Sequence, residues 1–191
     1  MLNRKRNNVV INKKNVTITG DGEVILSGNS TNRILNITGG NFTSNSSEII
    51  KTERSSSNTS PNSINISGGV FKSDNASLIN TYDGYGSYGK NTLLISGGNF
   101  ESTDTTNINT GLINNAGLVE ITGGTFTKTG KIFNSNQSTD NNLNKNTKVK
   151  GGYYSNSLDS TTHPLTEDYC DYGYMLDENT YTSNQVNGNS D

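Results

Sequence analysis

The chain has 191 residues, a length that fits one domain or a piece of a longer protein. Its hydrophobic content of 28% is low for a globular domain, and Asn, Ser, Thr and Gly together supply 100 residues. The net charge of −2 argues against a nucleic-acid partner, and the single cysteine excludes an internal disulfide. Disordered chains share this composition, but the low net charge and the strict placement of the apolar residues favour folding.

The N-terminal residues precede the regular part of the sequence. The basic cluster at 4–6 is interpreted as a solvated terminus, and no apolar h-region follows it, so this start is not a signal peptide. The stretch 9–11 is predicted to be an earlier partial strand. "NVTITGDGEVIL" at 15–26 is predicted to form a shorter coil that aligns with the next repeat and places Gly20 opposite Gly39.

A short motif then recurs along the chain. The copies are "LNITGGNF" at 35–42, "INISGGVF" at 64–71, "LLISGGNF" at 93–100, "VEITGGTF" at 119–126 and a divergent copy, "KVKGGYY", at 148–154. Successive Gly pairs are 29, 29, 26 and 28 residues apart. A period of this size predicts a solenoid, with the motif acting as scaffold rather than as five copies of a site.

Local patterning predicts strands rather than helices. Apolar and polar residues alternate through each motif, as in "LNI" at 35–37, and paired glycines are poor in helices. A second apolar segment follows each motif, at 47–51, 77–80, 111–115 and 131–134. Each repeat therefore supplies about three short strands, enough for one coil that pairs with the next at roughly 4.8 Å.

Stacking of equivalent coils predicts several rows of side chains. The aliphatic row is Ile37, Ile66, Ile95, Ile121 and Val149; the aromatic row is Phe42, Phe71, Phe100, Phe126 and Tyr154. An amide ladder is predicted for Asn80, Asn114 and Asn134. The Gly pair is predicted to make a corner where neither a Cβ nor a negative φ fits. Lys72 and Glu101 share an outward register, where an exposed ion pair contributes little.

The C-terminal part departs from the period. The repeats are predicted to span 1–156, followed by a small irregular cap at 157–182 and a flexible tail at 183–191. The cap is rich in Tyr and acidic residues and is expected to cover the open edge of the last coil.

The repeat resembles the right-handed parallel β-helix proteins, the pectate-lyase-like superfamily in its broad sense. It is most similar to the "I-S/T-G-G-x-F" coils of large bacterial surface proteins with adhesin-like segments. This resemblance covers roughly 9–182 and implies an all-β, single-stranded right-handed parallel β-helix, a β-solenoid of about five to six coils. It also implies an exported parent protein, located at the cell surface or outside the cell.

Catalytic and metal-binding patterns are weak in this sequence. Enzymes of the resembled superfamily use carboxylate pairs, or carboxylates that hold calcium, but the acidic residues here do not share one register. The only histidine, His163, and the only cysteine, Cys170, lie in the cap, where packing or surface roles are expected. We therefore expect no catalytic residue, no metal site and no cofactor.

The long segments between coils are the better functional candidates. They would leave one edge of a rigid frame, where binding residues are often found. The segment "NTYDGYGSYGKNT" at 80–92 places ring, charged and amide groups together, which suits glycans or host and cell-surface proteins. The candidate ligand-binding residues are Tyr82, Asp83, Tyr85, Tyr88 and Lys90. Alternatively, these tyrosines cap the apolar interior.

These features predict a non-catalytic β-solenoid segment of a bacterial surface protein, acting as an adhesive stalk or spacer. The alternative is a fragment of a polysaccharide-degrading lyase or hydrolase, or of a phage tailspike. No nucleic-acid partner and no membrane insertion are expected, since no apolar stretch approaches the roughly 18 residues of a spanning helix.

Overall fold

The described part of the chain is all-β. The computed structural model describes residues 8–11, 17–18, 24–27, 33–45, 48–53, 62–81, 91–115, 118–135, 147–155, 174–177 and 182–185. These residues form β-strands and turns, with no helix among them. Their strands lie in a 12-stranded and a 5-stranded sheet.

The large sheet is built from the repeated motif. In the first two repeats, β4 (Arg33–Ser44) and β6 (Asn62–Ser73) run unbroken through the Gly pair. Later repeats divide there into two strands: β8 (Thr92–Ile95) and β9 (Asn99–Ser102), β11 (Leu118–Ile121) and β12 (Thr125–Thr127), β14 (Thr147–Val149) and β15 (Tyr153–Tyr154). All of these pair in parallel with the equivalent strand of the next repeat.

The small sheet is built from the second apolar segment of each repeat. Its strands are β3 (Val24–Ser27), β5 (Ile50–Glu53), β7 (Ile79–Asn80), β10 (Ile113–Asn115) and β13 (Phe133–Ser135). They are parallel and follow one another in the order of the repeats. The prediction of a strand at each second segment is therefore confirmed.

The interior consists of continuous rows of side chains. The predicted aliphatic row is confirmed, because each member is the register partner of the next and is at most 1% exposed. The aromatic row is confirmed too: its five rings stack with centroids 4.7 to 5.1 Å apart and planes within 10°. This spacing matches the ~4.8 Å between paired strands. The described residues thus form a curled, parallel β fold that is compatible with a β-solenoid.

The two glycines of each pair are required for different reasons, as Gly97 and Gly98 show. A Cβ on Gly97 would lie 2.6 Å from the carbonyl oxygen of Ser67 in the preceding repeat. Gly98 has a φ of +110°, which L side chains rarely adopt, and a Cβ there would lie 3.2 Å from the ring of Phe100. The predicted intolerance of a Cβ and of a negative φ is confirmed at these positions, divided between the two glycines.

The N-terminal alignment predicted from sequence is wrong. In the structure, β1 (Asn8–Ile11) and β2 (Thr17–Ile18) both pair with β4. Ile11 is the register partner of Ile37, and Ile18 is the partner of Phe42 rather than of Ile37. The stretch 9–11 therefore takes the register position beside 35–37 that the prediction gave to 16–18. Gly20 lies outside the described residues.

The C-terminal end of the large sheet carries an antiparallel hairpin. Its strands are β16 (Tyr174–Asp177) and β17 (Thr182–Gln185). Thr182 is the register partner of Tyr153 in β15, so β17 lies beside the last aromatic strand. The hairpin occupies the place where a cap is expected, and β17 continues past the predicted end of that cap at residue 182.

Candidate functional site

The predicted ligand-binding residues Tyr82, Asp83, Tyr85, Tyr88 and Lys90 lie outside the described part of the chain. The two residues that flank 82–90 are described and are joined to each other. Nδ2 of Asn91 donates to the carbonyl oxygen of Thr81 at 2.9 Å, and both residues are buried. The segment 82–90 therefore begins and ends at adjacent, anchored points.

A groove of about 430 Å³ lies on the outer face of the large sheet, just before the Gly pairs. It crosses four successive repeats at right angles to the strands. The lining residues form two outward rows on either side of the buried aliphatic row: Asn36, Asn65, Leu94 and Glu120 on one side, Thr38, Ser67, Ser96 and Thr122 on the other. The groove therefore presents similar chemistry at every repeat.

Hydroxyl and amide groups dominate the lining of this groove. The residues of the Ser/Thr row are all exposed. In the part of the chain that the structure describes, the hydroxyls of Ser67, Ser96 and Thr122 have no protein partner. In the other row, Nδ2 of Asn65 donates to Oδ1 of Asn36 at 2.7 Å. This bond runs from one repeat to the next, as an amide ladder would, although the sequence predicted the ladder elsewhere.

The backbone beneath the groove is already hydrogen-bonded between repeats. The N–H of Ser96 donates to the carbonyl of Ile66, and the N–H of Thr122 donates to that of Ile95, each at 2.8 Å. The backbone N–H groups of Ser96 and Thr122 are therefore not available to a ligand.

One carboxylate lines the groove, and it is paired. Nζ of Lys150 lies 3.2 Å from Oε1 of Glu120 and donates a hydrogen bond to it. Both side chains are about one third exposed, at 29% and 35%, so the pair is solvent-screened. The pair lies at the C-terminal end of the groove, where Lys150 compensates the charge of Glu120.

A second polar cluster lies in the interior. Lys128 has a wholly buried side chain, and its Nζ is 3.5 Å from Oδ2 of Asp104, whose side chain is 9% exposed. The same carboxylate accepts hydrogen bonds from Thr106 and Asn107 within one turn.

Both charges of this cluster have shifted pKa values. The hydrogen bond from the Thr106 hydroxyl is the main reason why the pKa of Asp104 is well below its usual range, although burial acts against it. Burial lowers the pKa of Lys128, and the nearby charge of Asp104 opposes that change. The pKa of Lys128 falls despite its acidic partner because the loss of hydration outweighs the attraction.

The sequence analysis missed this cluster, although a signal was present. Two residues after each phenylalanine of the aromatic row comes another inward position. It holds Ser44, Ser73 and Ser102, all at most 5% exposed, and in the next repeat Lys128 at 1%. A lysine in a row of buried serines requires a partner, which the sequence alone did not identify.

The predicted Asn ladder has the expected register, but the amides of Asn80 and Asn114 donate to other residues. Asn114 is the register partner of Asn80 and of Asn134. Nδ2 of Asn80 donates to Glu48 at 3.1 Å, and Nδ2 of Asn114 donates to Oγ of Ser77 at 3.0 Å. The predicted pairing of Lys72 with Glu101 is confirmed, with a 2.7 Å contact between side chains that are 49% and 42% exposed.

Within the ranges described above, no group of three His, Cys, Asp or Glu side chains is arranged to hold a metal ion. The cap residues His163 and Cys170 are outside those ranges. Among the described residues there is also no helix long and apolar enough to cross a membrane.

A scan of protein-family models, a search of curated proteins and a search of solved structures find no match to this chain.

Proposed function

We propose that this chain is a non-catalytic segment of a bacterial cell-surface protein, with the fold of a closed, right-handed β-solenoid of five to six coils. It acts as an adhesive stalk or spacer and contacts glycans or surface proteins through the segments that leave its edge. The parent protein is exported.

The stacked aromatic row is the observation that carries this proposal. Five rings from five repeats lie in one uninterrupted column inside the molecule, from Phe42 to Tyr154. Each coil is thereby fixed against its neighbours, and a chain that contacts only adjacent repeats grows in one direction. Rigidity and length are the properties that a spacer needs.

The anchoring of the segment 82–90 supports the adhesive role. Thr81 and Asn91 are buried and hydrogen-bonded to each other, and the N–H of Thr81 also donates to the carbonyl of Asn114 in the next repeat. A binding loop benefits from such a rigid base, because less conformational freedom is lost when the ligand binds.

The groove favours holding a ligand over cleaving one. Hydrolysis of a glycosidic bond by the usual route uses two carboxyl groups about 5–10 Å apart. Glu120 is the one carboxylate that lines the described groove, and it pairs with Lys150. The remaining polar lining consists of hydroxyl and amide groups, which bind by hydrogen bonds.

The spacer proposal is tested by lengthening the protein. Inserting four further copies of residues 64–92 should increase the maximum dimension in small-angle X-ray scattering by about 19 Å, since each coil adds about 4.8 Å. A control that carries a Gly/Ser insert of equal length should instead show a flexible segment. A compact, isotropic growth of the repeat-inserted chain would contradict the solenoid.

Adhesion through the loop is tested separately on a glycan array. The triple variant Tyr82/Tyr85/Tyr88→Ala should lose the signal of the unchanged chain if the loop binds glycans. Tyr153→Ala is the matched control, because Tyr153 is a 48% exposed tyrosine of β15, outside the segment 82–90. An unchanged signal in the triple variant would discard the loop as the binding element.

A further inference from the structure

We propose that the buried pair of Asp104 and Lys128 fixes the order in which the repeats stack. It favours pairing of the fourth repeat, with the motif at 119–126, with the third, whose motif is at 93–100. It disfavours pairing of the fourth repeat with the second, at 64–71, in the same chain or in another copy. This role concerns the assembly of the fold and not what the chain binds, so it goes beyond the proposed function.

The interior rows alone do not distinguish the second repeat from the third. Each repeat presents an aliphatic residue, Ile, Phe and Ser at its inward positions: Ile64, Ile66, Phe71 and Ser73 in the second, and Leu93, Ile95, Phe100 and Ser102 in the third. Nearly identical neighbours specify register weakly, and repeat chains are prone to misassembly for this reason. Selecting one of the two repeats therefore requires a contact in which they differ.

The turn that follows each of these serines differs between the two repeats in charge but not in geometry. In the second repeat, Oδ1 of Asn75 accepts a hydrogen bond from the N–H of Ser77 at 3.1 Å. In the third, Oδ1 of Asp104 accepts one from the N–H of Thr106 at the same distance. An amide thus makes this bond as well as a carboxylate does, so this part of the turn does not require the charge of Asp104.

The residue that the following repeat places over each turn differs as well. Oγ of Ser102 donates to the backbone oxygen of Asn75 at 2.7 Å. Lys128 holds the same inward position one repeat later, and its Nζ lies 3.5 Å from Oδ2 of Asp104. Over Asn75, this buried ammonium group would meet an amide, and the carboxylate of Asp74 belongs to an exposed residue one position earlier. The two charges therefore match the observed order of the repeats.

The energetics of buried charges make this pair selective. A buried ion pair adds little net stability compared with apolar residues of similar size, but a buried charge without its partner is strongly unfavourable. Skipping the third repeat would separate Lys128 from Asp104 while leaving the aliphatic and aromatic rows continuous. The cost of the wrong order thus falls on the pair.

Disulfide formation between outward positions reports which repeats are neighbours. Val70, Asn99 and Thr125 are successive register partners in the second, third and fourth repeats. Paired strands are about 4.8 Å apart, so positions 99 and 125 are within reach of a disulfide, whereas 70 and 125 are about twice as far apart and are not. Every test chain carries Cys170→Ser, is refolded from urea under reducing conditions and is then oxidised. Asn99→Cys/Thr125→Cys should crosslink, and Val70→Cys/Thr125→Cys should not.

Removing the charges should permit the wrong order. In Asp104→Asn/Lys128→Met, the yield of the disulfide between positions 70 and 125 should rise at least about threefold, within one chain or between two. Lys128→Met alone should show the same rise. The urea midpoint of the double variant should stay close to that of the unchanged chain, which separates a role in ordering from a role in stability.

The matched control removes an ion pair that joins repeats at the surface. Lys72→Met/Glu101→Gln takes away the exposed 2.7 Å contact between the second and third repeats, and it should leave the yield of that disulfide unchanged. Three results would overturn the proposal: an unchanged yield in the folded neutral variants, an equal rise in the control, or failure of both neutral variants to fold. The last result would make the pair a requirement for stability instead.

Discussion

Lys128 and Asp104 come from consecutive repeats and meet inside the molecule, with Nζ 3.5 Å from Oδ2 although the lysine side chain is wholly buried. A buried ammonium group loses its hydration, so the paired carboxylate is what makes its burial tolerable. Asp104 in turn accepts hydrogen bonds from Thr106 and Asn107, which fix its turn. The pair therefore ties that turn to the next coil.

Removing one charge of this pair should have a different effect from removing the other. Asp104→Asn leaves Lys128 buried without its counter-charge and should lower the free energy of unfolding by about 3–5 kcal/mol. Lys128→Met keeps most of the apolar side chain without the charge, and Asp104 still accepts hydrogen bonds from Thr106 and Asn107, so the free energy of unfolding should fall by no more than about 1 kcal/mol. Urea denaturation followed by circular dichroism measures both. A larger loss in Lys128→Met than in Asp104→Asn would contradict this account.

Lowering the pH should decrease the stability of the protein through Asp104. Its pKa in the folded state lies below the value in the unfolded chain, so its charge stabilises the fold fully above about pH 4. This contribution is lost as the pH falls from there through the folded-state pKa. Denaturation midpoints measured from pH 6 down to pH 2 should therefore fall less steeply in Asp104→Asn than in the unchanged chain. If the midpoints of the two chains fell equally steeply with pH, Asp104 would not contribute to the acid dependence of stability.

Raising the pH should increase the stability of the protein through Lys128. Because burial lowers its pKa in the folded state, the folded chain binds this proton less tightly than the unfolded chain does. Its contribution to stability should therefore increase as the pH rises through the folded-state pKa toward the usual lysine value of about 10.4. Lys128→Met should lack that increase when midpoints are compared between pH 7 and pH 10. If the midpoints of both chains changed equally between pH 7 and pH 10, the proposed effect of Lys128 would be contradicted.

The rows of the core could be predicted because the Gly pairs mark the register of each repeat. Once the pairs are aligned, the alternation of apolar residues decides which side chains stack, and Phe71 and Phe100 follow directly. The same reasoning failed at the N-terminus, where the apolar run 9–11 and the alternating stretch 15–19 both suit a strand beside β4. The pattern alone could not decide that Ile18 pairs with Phe42.

The groove and the buried ion pair depend on information that a one-dimensional pattern lacks. The sequence places Asn36 and Asn65 on the outward face, but the concavity between their row and the Ser/Thr row arises from the shape of the sheet. Likewise, the alternation places Lys128 inward, but its partner Asp104 lies in a turn whose path the period does not determine. The candidate residues of 82–90 remain a prediction.

The ring at the centre of the aromatic row should contribute strongly to the free energy of unfolding. Phe100 is 1% exposed and stacks on Phe71 and Phe126, with centroid distances of 4.7 and 5.0 Å. Phe100→Ala should lower the free energy of unfolding by about 3–5 kcal/mol, because it leaves a cavity between two rings. Asn99→Ala, an exposed neighbour in the same strand, should change it by less than about 0.5 kcal/mol. Similar losses in both variants would place the ring outside the core.

Alanine at either glycine of one pair should destabilise the protein, by different mechanisms. Gly97→Ala brings a Cβ to 2.6 Å from the backbone oxygen of Ser67, so paired strands must separate, at a cost of about 1–3 kcal/mol. Gly98→Ala forces a φ of +110° on an L side chain, a strain of about 1–3 kcal/mol. Ser96→Ala, at the exposed neighbour, is the control and should be nearly neutral. Crystal structures of the two variants distinguish the mechanisms: Gly97→Ala should widen the separation from the preceding strand, whereas Gly98→Ala should shift its own backbone dihedral. If Gly97→Ala were as stable as the control, close approach of the strands could not be the reason for the first glycine.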